Sequence, residues 1–411
     1  MRLPRVAYSV TSQGLVSACN LLLSLALLYY SEARHYVAFL LFLNVVQLLN
    51  GLQNALFVSP VGVLVPRLPA AEVARTEKAA YRMTALIALV GLPFIAYFFA
   101  SAPGFDTTSI GLTILFFVAT VMLLQREIAR NACLLRSDLA MLVKYDLLYF
   151  VMSTMIASAA IALHELDFIV AVLAFAIPAT VSRLSRPKWP DARAVAPAAA
   201  LTAFGPRFWA DVGEVARWSV PGVIVTWLFS NGYWFVLERT QGTETIATLG
   251  AARLLFTPVG LFIQGWLMQL RPLSVAMAHQ GQMAELKRIV LQQSAAGAAC
   301  VMVIAASAYG LVSWYAYVLP QSMQDPGIKG YILFWAVYFG FFWYRSGLST
   351  LLMTRIGGFR FVFFANVIVC ALFYTIFLST LGHVSLPLSL VSLIIAEIAM
   401  ICLLLRQRVY E

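Results

Sequence analysis

The chain has 411 residues, of which 62% are hydrophobic and only 11% are charged, and its mean hydropathy is +0.85. A soluble globular protein carries about 25% charged residues, so this composition excludes a soluble domain and predicts an all-α polytopic membrane protein. The net charge of +10 fits nucleic acid as a partner, but the distribution of positive charge along the chain explains it without nucleic acid.

Apolar stretches of about 20 residues, bounded by charged or turn residues, are long enough to cross a bilayer as helices. Twelve such stretches, numbered spans 1 to 12, lie at residues 8–30, 36–65, 82–101, 109–125, 140–162, 167–183, 218–237, 246–270, 291–318, 329–352, 361–381 and 385–405. Span 2 is longer than a straight crossing requires, so we expect it to tilt or bend.

The Lys and Arg residues are divided very unequally between alternate loops. If the N-terminus and every second loop are cytoplasmic, 23 of the 28 fall on the cytoplasmic side and three on the other. Basic loops stay in the cytoplasm, so both termini are predicted to be cytoplasmic. The longest loop, 184–217, is predicted to be cytoplasmic, and its last part is either an amphipathic helix with Pro206 in its first turn or a plain linker. It separates a six-helix lobe at 1–183 from a second six-helix lobe at 218–411.

Span 2 carries several amide side chains in an otherwise apolar segment. On a helix, Asn44, Gln47, Gly51 and Asn54 fall within an arc of about 80°, and Asn50 lies beside it. An amide that faces hydrocarbon without a partner costs several kcal/mol, so this face is expected to contact protein or water. Two interpretations stay open, namely hydrogen bonds between packed helices and the wall of a polar substrate cavity.

The end of span 2 is repeated in span 8. Residues 55–62 read ALFVSPVG and residues 253–260 read RLLFTPVG, an offset of 198 residues that is close to half of the chain. A match at this offset indicates an internal repeat. Each copy contains a proline, Pro60 or Pro258, which removes a backbone donor and makes both positions candidate hinges.

Charged side chains inside spans cost about 2.5–3.5 kcal/mol each at the bilayer centre, so they are candidates for function. Arg253 in span 8 and Arg345 in span 10 are candidates for substrate binding, with a buried ion pair or snorkelling as the alternative. Glu397 in span 12 is a candidate for binding a coupling ion or, equally, for neutralising Arg345. Asp146 in span 5 is a second coupling candidate, and its alternative is an ion pair with Lys144 or an arginine of the preceding loop.

Further amides complete the candidate substrate-binding set: Gln13 and Asn20 in span 1, Asn231 in span 7 and Gln264 in span 8. The sequence contains no Walker A, GxGxxG, HExxH or GxSxG pattern and no Cys or His spacing typical of a metal site. It therefore predicts neither an enzyme nor a cofactor. Without a nucleotide-binding motif, any transport must be driven by a gradient.

Three segments together resemble the multidrug/oligosaccharidyl-lipid/polysaccharide (MOP) exporter superfamily, in particular the Wzx-type polysaccharide flippases. They are GLQNALFVSPVGVLVPR in span 2, GAARLLFTPVG in span 8 and the basic turn QREIARNACLLRSDLAMLVKYDLLYF after span 4. The resemblance covers the whole chain in its topology. Major facilitator proteins also have six plus six spans, but the loop after span 2, RLPAAEVARTEKAAYR, lacks their Gly…Asp-Arg…Gly-Arg-Arg pattern.

The resemblance implies a cavity lined by spans 1, 2, 7 and 8 that opens alternately to the two sides of the bacterial inner membrane. The implied cargo is an undecaprenyl-pyrophosphate-linked oligosaccharide, with membrane lipids and the polysaccharide polymerase and assembly proteins as further partners. Arginine suits the pyrophosphate and amides suit the glycan. Two alternatives remain open: a secondary-active exporter of drugs or small metabolites from the same superfamily, and a non-transporting membrane scaffold for polysaccharide assembly.

Overall fold

The computed structural model describes residues 3–58, 81, 84–89, 91, 110–135, 138–184, 206–352 and 356–406. Within these ranges every regular element is a helix, and the single β feature is an isolated bridge between Leu381 and Val384. The principal helices are α1 Leu3–Tyr30, α2 Ala33–Gln53, α3 Ile110–Leu135, α4 Leu139–Ala162, α5 Phe168–Leu184, α6 Pro206–Trp227, α7 Tyr233–Gln241, α8 Thr243–Leu254, α9 Thr257–His279, α10 Met283–Trp314, α11 Ile328–Leu352, α12 Ile356–Thr380 and α13 Leu386–Arg406.

The helices are long and apolar enough for a multi-pass membrane protein. Eight in the described part qualify as membrane spans, and the count rises to nine when the bent pair Thr243–Leu254 and Thr257–Leu267 is taken as one span. In a bilayer core, a helix satisfies its backbone hydrogen bonds internally, which explains why an apolar chain folds this way. The predicted total of twelve stays a prediction, because most of span 3 and the end of span 2 lie outside the described residues.

Helix boundaries follow the predicted spans where the apolar pattern ends sharply. α4 and α5 begin and end within two residues of spans 5 and 6. In contrast, α10 begins at Met283, eight residues before span 9. Its first two turns are polar, so they are not recognised as part of an apolar span. α6 begins at Pro206, as expected for a proline in the first turn, and continues unbroken into span 7. The predicted surface helix is therefore the first part of a longer one.

Carboxylates cap the starts of two helices. At the start of α4, the backbone N–H of Met141 donates to the Asp138 carboxylate at 3.1 Å. Before α5, the N–H of Val170 donates to the Asp167 carboxylate at 2.8 Å. The first turn of a helix has no internal acceptors for its N–H groups, so these side chains help to fix where the two helices begin.

The chain divides into two compact units. The first comprises Met1–Ile224 with Trp234–Thr240, and the second comprises Val225–Tyr233 with Gln241–Glu411. Each has an aromatic core. In the first unit, Phe116 and Phe168 lie 5.0 Å apart between ring centroids, and in the second unit Phe373 and Phe377 lie 5.3 Å apart. The unit boundary falls within span 7, and the lobe limits given above stay a prediction.

Candidate functional site

The predicted amide face of α2 is exposed only around Gln47. Gln47 is exposed, Asn50 and Asn54 are half-buried, and Asn44 is buried. The Asn54 side-chain amide donates to Asn50 Oδ1 at 3.5 Å, which links two of these residues along the helix. Asn44 thus lies among protein side chains while Gln47 is accessible, and both interpretations of this face stay open.

Gln53, which was not among the candidate residues, lies on the packed side of the same helix. It is fully buried, and its Nε2 donates to the Thr84 hydroxyl at 2.8 Å, so this amide acts as a contact between helices. Directly after it, Asn54–Val58 form a π-helical turn. Such turns disturb the regular hydrogen-bond ladder and occur often at functional sites. The candidate hinge Pro60 lies outside the described residues.

Span 8 is bent at the equivalent position of the repeat. An offset of 198 residues maps the π-helical turn onto residues 252–256, and α8 ends at Leu254 while α9 begins at Thr257. The two helices meet at an angle of 51°. Pro258 is the second residue of α9, where a missing N–H is tolerated. Both copies of the repeat thus carry a helix irregularity just before the proline.

Arg253 lies in the last turn of α8, immediately before this bend, and is half-buried. Its guanidinium carbon is 5.5 Å from the centre of the Trp335 ring. The Trp335 indole N–H donates to the Leu249 carbonyl at 3.2 Å, and one turn further along α11 Phe339 stacks on Phe256 at 5.6 Å. The aromatic side chains of α11 therefore hold the guanidinium and the bend in place.

Arg345 and Glu397 form a buried ion pair between α11 and α13. The Arg345 Nε atom is 2.8 Å from a Glu397 carboxylate oxygen, and the side chains are 8% and 0% exposed. The guanidinium also lies 4.9 Å from the Phe342 ring and 5.9 Å from the Phe229 ring. The geometry is the one expected if Glu397 neutralises Arg345. The Tyr338 hydroxyl interacts electrostatically with Arg253, Arg345 and Glu397. These three charged residues therefore lie around one side chain of α11 in the second unit.

Asp146 belongs to a second buried cluster, in the first unit. Its carboxylate is 2.6 Å from Arg126 Nη2 and 3.0 Å from Arg130 Nε, and it accepts a 2.5 Å hydrogen bond from Ser12. Arg130 also contacts both carboxylate oxygens of Glu127 at 2.9 Å. The two arginines and two acids balance in charge, and Asp146 is saturated with donors. Of the alternatives above, the structure shows the ion pair with arginines that follow span 4.

The position of Arg126 and Arg130 corrects one part of the sequence interpretation. Both were counted as residues of a cytoplasmic loop after span 4, but α3 continues to Leu135 and buries them to 3% and 7% exposure. Burial is tolerated because Glu127 and Asp146 neutralise them and because Arg126 lies 3.6 Å from the centre of the Tyr149 ring. Lys144, the other proposed partner of Asp146, is exposed.

The remaining candidates are spread over both units. Gln13 and Asn20 are half-buried on α1, and Gln264 is exposed on α9. Asn231 is buried in the π-helical turn Leu228–Gly232, where its amide donates to the Ser230 hydroxyl at 3.1 Å. Within the described ranges, no three His, Cys, Asp or Glu side chains are grouped so that they could hold a metal ion.

The second unit brings three of the predicted site residues, Arg253, Arg345 and Glu397, to α11 or its neighbourhood. The residues that hold them, Trp335, Phe339 and Phe342, were not predicted. All three lie in the run FWAVYFGFFWYR at 334–345. Its aromatic density beside Arg345 is a signal that could have identified them, although such runs are also common in lipid-facing helices.

No family model matches the chain, and no curated protein matches it. Solved structures do match over nearly the whole length. An outward-facing conformation of a multidrug resistance MATE family transporter of the MOP superfamily gives a TM-score of 0.68 at 14% identity, covering 97% of this chain and 93% of that chain. An inward-facing conformation of such a transporter gives 0.69 at 13% identity, covering 98% and 93%.

A MOP superfamily transporter from Pyrococcus furiosus Vc1, described by the reverse polarity of its binding pocket, gives a TM-score of 0.65 at 13% identity and covers 98% of this chain and 94% of that chain. At such identities the likeness shows the fold alone. The chain therefore shares an all-helical fold with these structures, and the predicted all-α, multi-pass class is confirmed at this level.

Proposed function

We propose that the protein is a flippase that moves an undecaprenyl-pyrophosphate-linked oligosaccharide from the inner to the outer leaflet of the bacterial cytoplasmic membrane. It would do so by alternating access between two six-helix lobes, with twelve spans and both termini in the cytoplasm. Polysaccharide polymerase and assembly proteins are proposed to receive the cargo. The fold shared with known transporters supports transport as the activity. The arginine and amide side chains discussed next support a glycolipid with a pyrophosphate group as the cargo.

The observation that carries this proposal is the pairing of the two carboxylates that the sequence places inside spans. Asp146 lies beside two arginines and Glu397 beside one, at ion-pair distances from 2.6 to 3.0 Å. Neither acid is therefore available as a simple site for an organic cation. Arg253 adds positive charge beside an aromatic wall, and a guanidinium binds a pyrophosphate through paired hydrogen bonds.

The amides of α2 and of the π-helical turn after it are proposed to bind the glycan. The hydroxyl groups of a sugar need hydrogen-bond donors and acceptors, and an amide offers both. Gln47 presents such a group at an exposed position, and Asn50 and Asn54 are half-buried. The polyprenyl tail needs no polar site, because it can remain in the lipid while the headgroup crosses.

The test is export by cells that carry Arg253→Ala, with Arg288→Ala as the matched control, since Arg288 is exposed on α10. We expect Arg253→Ala to reduce export at least about tenfold, because it removes a charge-assisted contact to the pyrophosphate, while the protein stays in the membrane. Lipid-linked repeat units should then accumulate on the inner leaflet. Normal export by Arg253→Ala would remove this residue from the mechanism.

Native mass spectrometry of the purified protein separates the proposed function from its main competitor. A flippase should retain a polyprenyl-linked glycan. The second candidate, a drug or metabolite exporter, is favoured by the multidrug transporters among the structural neighbours, and it requires binding of small organic cations without long-chain lipid. A non-transporting scaffold predicts that substitutions at Asn44, Gln47 and Asn54 leave polysaccharide assembly unchanged.

A further inference from the structure

Asp146 and Glu397, two buried carboxylates among the described residues, are paired with arginine in different ways. In the first unit, Asp146 accepts from Ser12, Arg126 and Arg130, so its carboxylate is saturated. In the second unit, Arg345 Nε lies 2.8 Å from Glu397, yet neither Glu397 oxygen nor Arg345 Nε makes a well-directed hydrogen bond in the described part. The distance is that of an ion pair, but the angle is poor. Glu397 is thus close to the guanidinium without being well bonded to it.

Arg345 is positioned by contacts other than the one to Glu397. Its guanidinium lies 4.9 Å from the Phe342 ring on its own helix and 5.9 Å from the Phe229 ring in the π-helical turn of span 7. Cation–π contacts of this kind hold a guanidinium without consuming its hydrogen-bond donors. The arginine should therefore keep its place if the carboxylate moves away.

A buried ion pair is weak evidence for stability, since well-packed apolar residues at the same positions often stabilise a protein equally or more. A poorly aligned pair inside a membrane protein is therefore better explained by function. Arginine bonds planar or tetrahedral oxyanions through two parallel N–H groups, which the single Nε contact to Glu397 does not achieve. A phosphate group with several free oxygens would satisfy this guanidinium better than Glu397 does.

We propose that Arg345 is an anion site which Glu397 fills as an internal stand-in, and from which a phosphate or pyrophosphate group displaces it. The inference rests on the proposed function and assigns Glu397 a role in it. A displaced Glu397 would be a buried charge without its partner, which is costly. Binding of the anion would therefore favour a conformation in which α13 carries Glu397 toward water, so cargo binding and movement would be linked.

The test uses the full chain in phosphatidylcholine nanodiscs with two probes, inorganic pyrophosphate in solution and a polyprenyl pyrophosphate in the disc. Kd is measured from tryptophan fluorescence and from the shift in Tm. Glu397→Gln removes the competing charge, so we expect both probes to bind about tenfold more tightly than to wild type. The matched control is Glu127→Gln, which makes the same change in the saturated cluster and should leave Kd unchanged.

The inference is overturned if wild type binds pyrophosphate but Glu397→Gln binds it no better, or if Glu127→Gln gains equally. If neither probe binds to wild type or to any variant, the anionic cargo of the proposed function fails too, so the two failures are distinguishable.

If Glu397→Gln does not fold, Glu397→Asp shortens the side chain and keeps its charge, and an intermediate gain in affinity supports the inference. A gain confined to the polyprenyl probe assigns the site to lipid-borne pyrophosphate, whereas a gain with both assigns it to the phosphate group itself.

Discussion

The cluster around Asp146 ties three helices of the first unit together. Ser12 comes from α1, Arg126 and Arg130 come from α3, and Asp146 lies in α4 and is fully buried. Asp146→Ala leaves two buried guanidinium groups without their main counter-charge, so we expect the free energy of unfolding to fall by about 3–5 kcal/mol. Lys144→Ala, two residues away on the exposed face, should change it by less than about 0.5 kcal/mol.

Unfolding by a denaturing detergent in mixed micelles measures both values. Equal stability of the two variants would show that the cluster does not stabilise the fold. From the sequence, Asp146 was either a coupling candidate or the ion-pair partner of Lys144 or of an arginine in the preceding loop, because a lone carboxylate near a membrane is costly. The sequence could not indicate Ser12, which lies 134 residues away, since hydropathy describes each span separately and contains no information about contacts between spans.

At the scale of elements, Gly297 permits a close contact between α10 and α11. A Cβ atom built at Gly297 would lie 2.1 Å from Trp343 Cε2, and Trp343 is itself buried and stacked on Trp266 at 5.8 Å. The ring has no room to move, so we expect Gly297→Ala to destabilise the protein by about 1–3 kcal/mol. Gly340→Ala, at an open position in α11, should instead stabilise it by about 0.5–1 kcal/mol.

Thermal unfolding in detergent compares these two substitutions directly, and a loss of stability at Gly340 equal to that at Gly297 would contradict the packing argument.

The sequence contained part of the information about how the helices are bent and packed. The repeat and Pro258 indicated where span 8 departs from a straight helix, and the structure has the bend just before that proline. The contacts of Trp335 and Phe339 that hold the bend could not be predicted, because they join segments about 80 residues apart and depend on the packing of whole helices.

At the scale of the whole molecule, composition and span length were sufficient for the class of fold, because a bilayer leaves an apolar chain few alternatives to packed helices. They did not determine the cargo. That choice depends on whether the interior presents acids or arginines, and both kinds of residue occur within spans. The proposal of an anionic cargo rests on the pairing of Asp146 and Glu397 with arginines, and this pairing is a property of the folded protein.

Orientation is the last prediction, and it decides which leaflet loads the cargo. The count of 23 against three Lys and Arg residues includes Arg126 and Arg130, which the structure buries, but the asymmetry is large enough to survive without them. We expect green fluorescent protein fused after Glu411 to fluoresce and alkaline phosphatase fused there to be inactive. Phosphatase inserted at Gly242, an exposed glycine with φ of 81° between α7 and α8, should be active. The reverse pattern would place the termini outside and would contradict loading from the cytoplasmic leaflet.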